Sequence, residues 1–139
     1  MKIIIIEDEA FAAKRLENLI KEFNASYEIV AWLESVHDSV EWFQNHPEPD
    51  LIFLDIHLED DLSFAIFKQV SIYCPIVFTT ATDELAVKAF QTKGIDFLHK
   101  PVIQAELDKI LDKYSDPSNY QKIIISNGFF DDLMKENNP

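Results

Sequence analysis

Three apolar runs in this sequence are each followed by charged side chains: Glu7 and Asp8, then Asp55, then Lys100. In a parallel α/β sheet, strands that end this way bring their charged groups to the carboxyl edge, where such sheets bind ligands. Carboxylates held close together repel one another unless a cation lies among them. Oxygen ligands with room for water and a phosphate oxygen suit Mg²⁺ better than zinc or copper. The pattern therefore predicts a magnesium and phosphate site built on acids.

Asp55 is the candidate nucleophile of this site. Carboxylates form aspartyl-phosphates when a metal neutralises the incoming phosphoryl group and fixed donors hold its oxygens. Two kinds of donor are available, because Thr79 and Thr80 close the fourth apolar run and Lys100 follows the fifth. Each of these residues alone is ordinary as a helix cap, a strand-end hydroxyl or a surface charge. Their joint occurrence at the ends of four strands favours phosphoryl transfer.

Composition limits the class of protein. The 139 residues are 47% hydrophobic and include eleven Phe, enough for one domain with a real core. A net charge of -13 argues against nucleic-acid binding by this segment. Two glycines are too few for a dinucleotide fingerprint or a P-loop, and the single Cys74 excludes an internal disulfide. The apolar start is too short to span a membrane, so we expect a cytoplasmic location without membrane partners.

The order of elements is that of repeated βα units, which form a parallel sheet. Apolar runs predict strands at residues 3–6, 27–33, 51–54, 76–79 and 95–98. Apolar positions at helical spacing predict five intervening or following helices. The third helix carries a stripe of Leu62, Ile66, Val70 and Tyr73, and the fourth contains Leu85, Ala86, Ala89 and Phe90.

After Tyr114 the composition becomes that of a turn or linker. We therefore expect one domain over residues 1–114. Residues 115–139 are expected to be a linker with one strand-like piece, or the start of an output domain that lies outside this sequence. Either a truncated chain or a stand-alone domain fits this pattern, and the linker-like tail favours truncation.

Over residues 1 to about 114 the chain resembles a response-regulator receiver domain. The matching residues are Glu7, Asp8, Asp55 within Leu54-Asp55-Ile56, Thr80-Ala81, Phe97 and Lys100-Pro101. The resemblance implies a flavodoxin-like, doubly wound α/β fold with five parallel strands in the order 2-1-3-4-5 and helices on both faces. Residues 77–84 further resemble receivers of the LytTR subfamily, which usually precede a DNA-binding domain.

The resemblance also implies a metal site. By this resemblance, we expect Asp55 to accept a phosphoryl group from a sensor histidine kinase, and we expect no enzymatic activity beyond the domain's own phosphorylation and dephosphorylation. The resemblance implies that Mg²⁺ is held by Asp8, Asp55 and the backbone carbonyl of His57, with Glu7 reaching it through water. The loop at residues 56–61 lacks the proline and glycine of many receivers. This departure leaves the backbone of the loop, and with it the His57 carbonyl, open.

A switch and its partners are implied in the same way. By the resemblance, we expect Thr80 to bind a phosphate oxygen and move inward, and Phe97 to follow it. We expect Lys100 to pair with another phosphate oxygen and the Lys100-Pro101 bond to be cis. The resemblance implies a homodimer through the fourth helix, fifth strand and fifth helix, and DNA contact only through an output domain absent from this sequence.

Two other functions stay open. A small Mg²⁺-dependent phosphatase of the haloacid dehalogenase type would carry DxDx[TV] after the first strand, where this chain has Glu7-Asp8-Glu9-Ala10-Phe11. A stand-alone receiver-like interaction module that is never phosphorylated is disfavoured by the intact Asp55 and Lys100.

Overall fold

Five parallel strands form a single sheet in the order β2-β1-β3-β4-β5. The computed structural model describes residues 1–81, 87–88, 91 and 94–119. The strands are β1 (Lys2–Ile6), β2 (Glu28–Leu33), β3 (Leu51–Asp55), β4 (Ile76–Thr80) and β5 (Phe97–His99). The predicted strand order is confirmed, and β5 begins two residues later than residue 95, where the sequence placed it.

Helices cover both faces of this sheet. They are α1 (Ala10–Phe23), α2 (Val36–Asn45), a short 3-10 helix (Ser63–Lys68) and α3 (Gln104–Tyr114), followed by a single 3-10 turn (Pro117–Asn119). Successive strand side chains point to opposite faces. Ile4 and Ile6 therefore pack with α2 and the 3-10 helix, whereas Ile3 and Ile5 pack with α1 and α3. The central strands are buried on both sides, which explains their uninterrupted apolar sequence.

The third helix is shorter than the sequence predicts. The expected stripe was Leu62, Ile66, Val70 and Tyr73. Ile66 is buried, but Leu62 is 42% and Tyr73 53% exposed. The helix spans only six residues. Its first N–H, that of Ser63, donates to the Ile56 carbonyl at 2.8 Å, and beyond its end the Tyr73 N–H donates to Glu48 at 2.6 Å.

Several sequence predictions lie outside the described residues. They include most of the fourth helix, with Leu85, Ala86, Ala89 and Phe90, and the strand-like piece after residue 120. Residues 87, 88 and 91, which are described, are helical. Within the described ranges, no helix combines the length and the apolar character that crossing a membrane would require.

Gly94 offers a test of the backbone before β5. Its φ is +69°, and among the described residues other than Gly94 and its chain neighbours no heavy atom lies within 4 Å of the position that a Cβ would occupy. Gly94→Ala should therefore lower the free energy of unfolding by about 1 to 2 kcal/mol through backbone strain alone. Gly94→Asn should cost less, because Asn tolerates this conformation better. Urea denaturation measures the stability of both variants. An alanine variant as stable as the wild type would contradict the positive φ at Gly94.

Candidate functional site

The site lies at the carboxyl edge of the sheet. Glu7 and Asp8 follow β1, Asp55 ends β3 and Lys100 follows β5. The registers pair Ile6 with Leu54, Asp55 with Thr79 and Thr80 with His99. Because these strands are parallel neighbours, their last residues come together at one place.

Three carboxylates meet at this edge. Glu7, Asp8 and Asp55 each offer an oxygen, and these oxygens all lie within 4.8 Å of one another. Glu7 and Asp55 are each 5% exposed, and Asp8 is half-buried. A donor set made of carboxylate oxygens alone fits a hard divalent cation such as Mg²⁺. The structure thus brings together the three acids that the sequence singled out.

Lys100 provides the only positive charge among the site residues described above. Its Nζ donates to Glu7 Oε1 at 2.5 Å and to Asp55 Oδ2 at 3.1 Å. The backbone holds this side chain in place, because the Lys100 N–H donates to the Thr80 carbonyl at 2.8 Å. The Lys100-Pro101 peptide bond is cis. One ammonium therefore lies between two of three carboxylates, and the cluster keeps an excess of negative charge.

Burial and the neighbouring charges alter the pKa values of Glu7 and Lys100. Burial raises the pKa of Glu7 to about 7; the Lys100 hydrogen bond opposes this rise, and the Asp55 charge adds to it. Burial alone would lower the pKa of Lys100, but the Glu7 and Asp55 carboxylates raise it above its ordinary value. Lys100 therefore stays charged. The ionised form of Glu7 is disfavoured by burial, and an added cation would stabilise it.

Hydrogen bonds from neighbouring residues hold the Glu7 backbone and the Asp55 side chain in place. The Trp32 indole Nε1–H donates to the Glu7 carbonyl at 2.7 Å, and the Glu7 N–H donates to the Leu33 carbonyl at 2.9 Å. The His57 N–H donates to Asp55 Oδ1 at 3.3 Å. Sequence reasoning missed Trp32, because its contact depends on the pairing of β1 with β2, which places Trp32 beside Ile5.

The two proposed switch residues lie on neighbouring strands. Thr80 is completely buried at the end of β4. Phe97, the first residue of β5, is half-buried, and its ring contacts His99 edge to face with centroids 5.4 Å apart. In the register Thr80 pairs with His99 and Phe97 pairs with Phe78. Thr80 and Phe97 are therefore separated by two residues along the β4–β5 ladder.

The loop after Asp55 forms a compact turn without glycine. His57 pairs with Leu62 in an antiparallel bridge, and the Leu58 N–H donates to the Asp61 carbonyl at 3.1 Å. Among the described non-glycine residues, none has a positive φ. A turn of this kind is open to ordinary residues. The departure from the usual loop sequence is thus accommodated, and the His57 side chain is exposed.

Comparisons with known proteins agree with this arrangement. Residues 3–112 match the family model described as the response regulator receiver domain. The chain is 33% identical over 117 residues to the sensory transduction protein LytT of Bacillus anthracis, covering 82% of this chain and 47% of that protein. It is 35% identical over 116 residues to the transcriptional regulatory protein YpdB of Escherichia coli K12, covering 81% and 47%. The chain therefore spans about half the length of these curated relatives.

Solved structures show the same fold. The response regulatory domain of protein mrkE from Klebsiella pneumoniae superposes with a TM-score of 0.67 at 35% identity, covering 83% of this chain and 95% of that one. A two-component response regulator from Clostridium difficile superposes with a TM-score of 0.68 at 22% identity, covering 86% and 99%. The second likeness concerns the fold alone.

The raised pKa of Glu7 predicts a pH-dependent stability in metal-free buffer. Glu7 ionises near 4.5 in the unfolded chain and near 7 in the folded one. Between these values the folded state binds more protons, so this contribution is fully present below 4.5 and is lost as the pH rises through 7. The melting temperature of Glu7→Gln should therefore fall less over this range than that of the wild type, by a few degrees.

Thermal unfolding with a chelator present measures this difference. Glu22→Gln, which neutralises an exposed carboxylate of α1, is the matched control and should follow the wild type. Parallel profiles for Glu7→Gln and the wild type would show that Glu7 is not destabilised by its surroundings.

Proposed function

Since the chain belongs to the response regulator receiver domain family of two-component systems, we propose that Asp55 accepts a phosphoryl group from a sensor histidine kinase. The observation that supports this role is the contact of the Asp55 carboxylate with Lys100 Nζ at 3.1 Å, with two further acids close by. A cation and a metal beside a carboxylate nucleophile neutralise charge on an incoming phosphoryl group. Lys100 would supply the first and the acids beside Asp55 could hold the second.

Mg²⁺ is the cofactor that we propose for this site. Asp8, Asp55 and the His57 carbonyl would hold it, with Glu7 reaching it through water, and it would neutralise charge on the incoming phosphoryl group. The oxygens of Glu7, Asp8 and Asp55 are close enough to surround one ion. This spacing is the feature of the chain that supports a metal.

The transfer step follows from these positions. An Asp55 carboxylate oxygen attacks phosphorus, the bond from phosphorus to the histidine nitrogen of the kinase breaks, and the imidazole leaves with the electron pair. Lys100, which bonds Asp55 before transfer, then pairs with a phosphate oxygen. Thr80 donates to another oxygen, and its movement is followed by Phe97. Catalysis by the domain is limited to this phosphorylation and the later hydrolysis.

We propose that the kinase docks beside Lys100, at a cavity next to the charged site. A cavity of about 350 Å³ has Lys100, Pro101 and Phe11 among its lining residues. Phe11 is 83% exposed on the first turn of α1, so it offers apolar surface next to the charged site. Contact there would bring a phosphohistidine close to Asp55.

The output is proposed from the relatives. They are about twice as long as this chain, and one is named as a transcriptional regulatory protein. We place the receiver at residues 1–114 and assign residues 115–139 to a linker or the start of a DNA-binding domain. Pairing of two receivers through the fourth predicted helix, β5 and α3 would couple phosphorylation to that domain.

Asp55→Asn should abolish phosphorylation. Incubated with acetyl phosphate and Mg²⁺, the wild type should gain one phosphoryl group, because Asp55 is the nucleophile, and the amide variant should gain none. Intact-protein mass spectrometry measures the change. Asp112→Asn alters an exposed aspartate of α3 and should behave as the wild type.

Two results would argue against the proposal. Phosphorylation of Asp55→Asn at the wild-type rate would place the acceptor elsewhere. A folded wild type that gains no phosphate would favour the unphosphorylated interaction module instead.

A further inference from the structure

Asp60 connects the loop after Asp55 to a different element, the start of α2. Its Oδ1 accepts a hydrogen bond from the Val36 N–H at 2.9 Å, and its Oδ2 accepts one from the His37 N–H at 3.1 Å. N–H groups in the first turn of a helix have no partner within the helix. A carboxylate placed there gains from both hydrogen bonds and the helix dipole. Asp60 thus binds α2 with both of its oxygens.

Asp60 caps two N–H groups that Ser35, the cap next to α2 in the sequence, does not reach. The Ser35 side chain accepts from the Asp38 N–H at 3.0 Å, and the Ser35 carbonyl accepts from the Ser39 N–H at 3.1 Å. Asp60 is separated from Val36 by 24 residues of chain. Its additional effect is therefore to fix the position of its own loop against the helix.

The loop that contains Asp60 connects α2 to the candidate metal site. Asp60 lies in the turn closed by the hydrogen bond from the Leu58 N–H to the Asp61 carbonyl at 3.1 Å. The stem of the turn is the bridge between His57 and Leu62. The turn is therefore held at its tip by α2 and at its stem by the bridge. His57, in the stem, is the residue whose backbone carbonyl was assigned to the metal.

We propose that Asp60 is a positioning residue, which holds the His57 backbone in the orientation that Mg²⁺ binding requires by anchoring the loop tip to α2. This inference rests on the proposed Mg²⁺ site. Residues that orient metal ligands without touching the metal change metal affinity when they are replaced. Without the Asp60 hydrogen bonds, the His57 carbonyl samples other orientations. Mg²⁺ binding is then weakened by the entropic cost of ordering it.

Titration with MgCl₂ tests the inference. The Trp32 indole donates to the Glu7 carbonyl, so its fluorescence, measured with the second tryptophan removed by Trp42→Phe in every variant, reports changes beside the metal ligands. Asp60→Ala should weaken Mg²⁺ binding about tenfold. Asp60→Asn keeps one acceptor oxygen and should fall between the alanine variant and the wild type.

Two control variants separate positioning from other effects. Ser35→Ala removes the cap that α2 makes for itself, so it should lower the melting temperature but leave Mg²⁺ affinity close to that of the wild type. Glu59→Ala removes one negative charge from the same exposed loop and should also leave the affinity nearly unchanged. Weakening by either control equal to that of Asp60→Ala would overturn the inference.

Hydrogen exchange in metal-free protein gives a readout independent of binding. The Leu58 N–H donates within the turn, and the Leu62 N–H donates to Asp61 Oδ1 at 2.7 Å. Both amides should exchange faster in Asp60→Ala than in Ser35→Ala. Unchanged exchange and unchanged Mg²⁺ affinity in Asp60→Ala would refute the role of Asp60 while leaving the metal site intact. A folded wild type that does not bind Mg²⁺ would overturn both the proposed function and this inference.

Discussion

The shared hydrogen bonding of one ammonium by two buried carboxylates is the interaction on which this site depends. Lys100 lies 2.5 Å from Glu7 and 3.1 Å from Asp55, with side chains that are at most 20% exposed. Without that ammonium, the acids would repel one another in a poorly solvated place. With it, the cluster is held together, but three carboxylates still face one ammonium. Burial, with a smaller contribution from the Asp55 charge, raises the pKa of Glu7 to about 7. The fold thus keeps a place that a divalent cation stabilises further.

The parallel sheet makes this cluster possible. Residues 7, 55 and 100 are far apart in sequence, yet β1, β3, β4 and β5 are neighbours whose ends meet. Two layers of apolar side chains, one on each face, fix these strands. Contacts from outside the cluster then orient its members: Trp32 holds the carbonyl of Glu7, and Asp60 holds the loop that follows Asp55. The apolar core thus sets where the charged residues lie, and a few polar contacts set how they are oriented.

The sequence predicts much of this arrangement, because the buried strands are short and almost wholly apolar. Their ends identify Glu7, Asp8, Asp55 and Lys100, and the doubly wound order brings those residues together. The shortened third helix could not be predicted, since the N–H groups of Ser63 and Tyr73 at the two ends of the expected stripe bind groups outside it, Ile56 and Glu48. The contacts of Trp32 and Asp60 join segments about 25 residues apart. No local pattern of residues encodes such contacts, because they arise only once the strands have paired.

The most direct measurement is a crystal structure grown with Mg²⁺ and beryllofluoride, which imitates an aspartyl-phosphate. The proposed function predicts beryllofluoride bonded to an Asp55 oxygen and Mg²⁺ bound by Asp8, Asp55 and the His57 carbonyl. Lys100 Nζ should have left Asp55 to contact a fluorine. A structure with Mg²⁺ and beryllofluoride bound away from Asp55, and with Lys100 still between Glu7 and Asp55, would contradict the role of Asp55 as the phosphoacceptor.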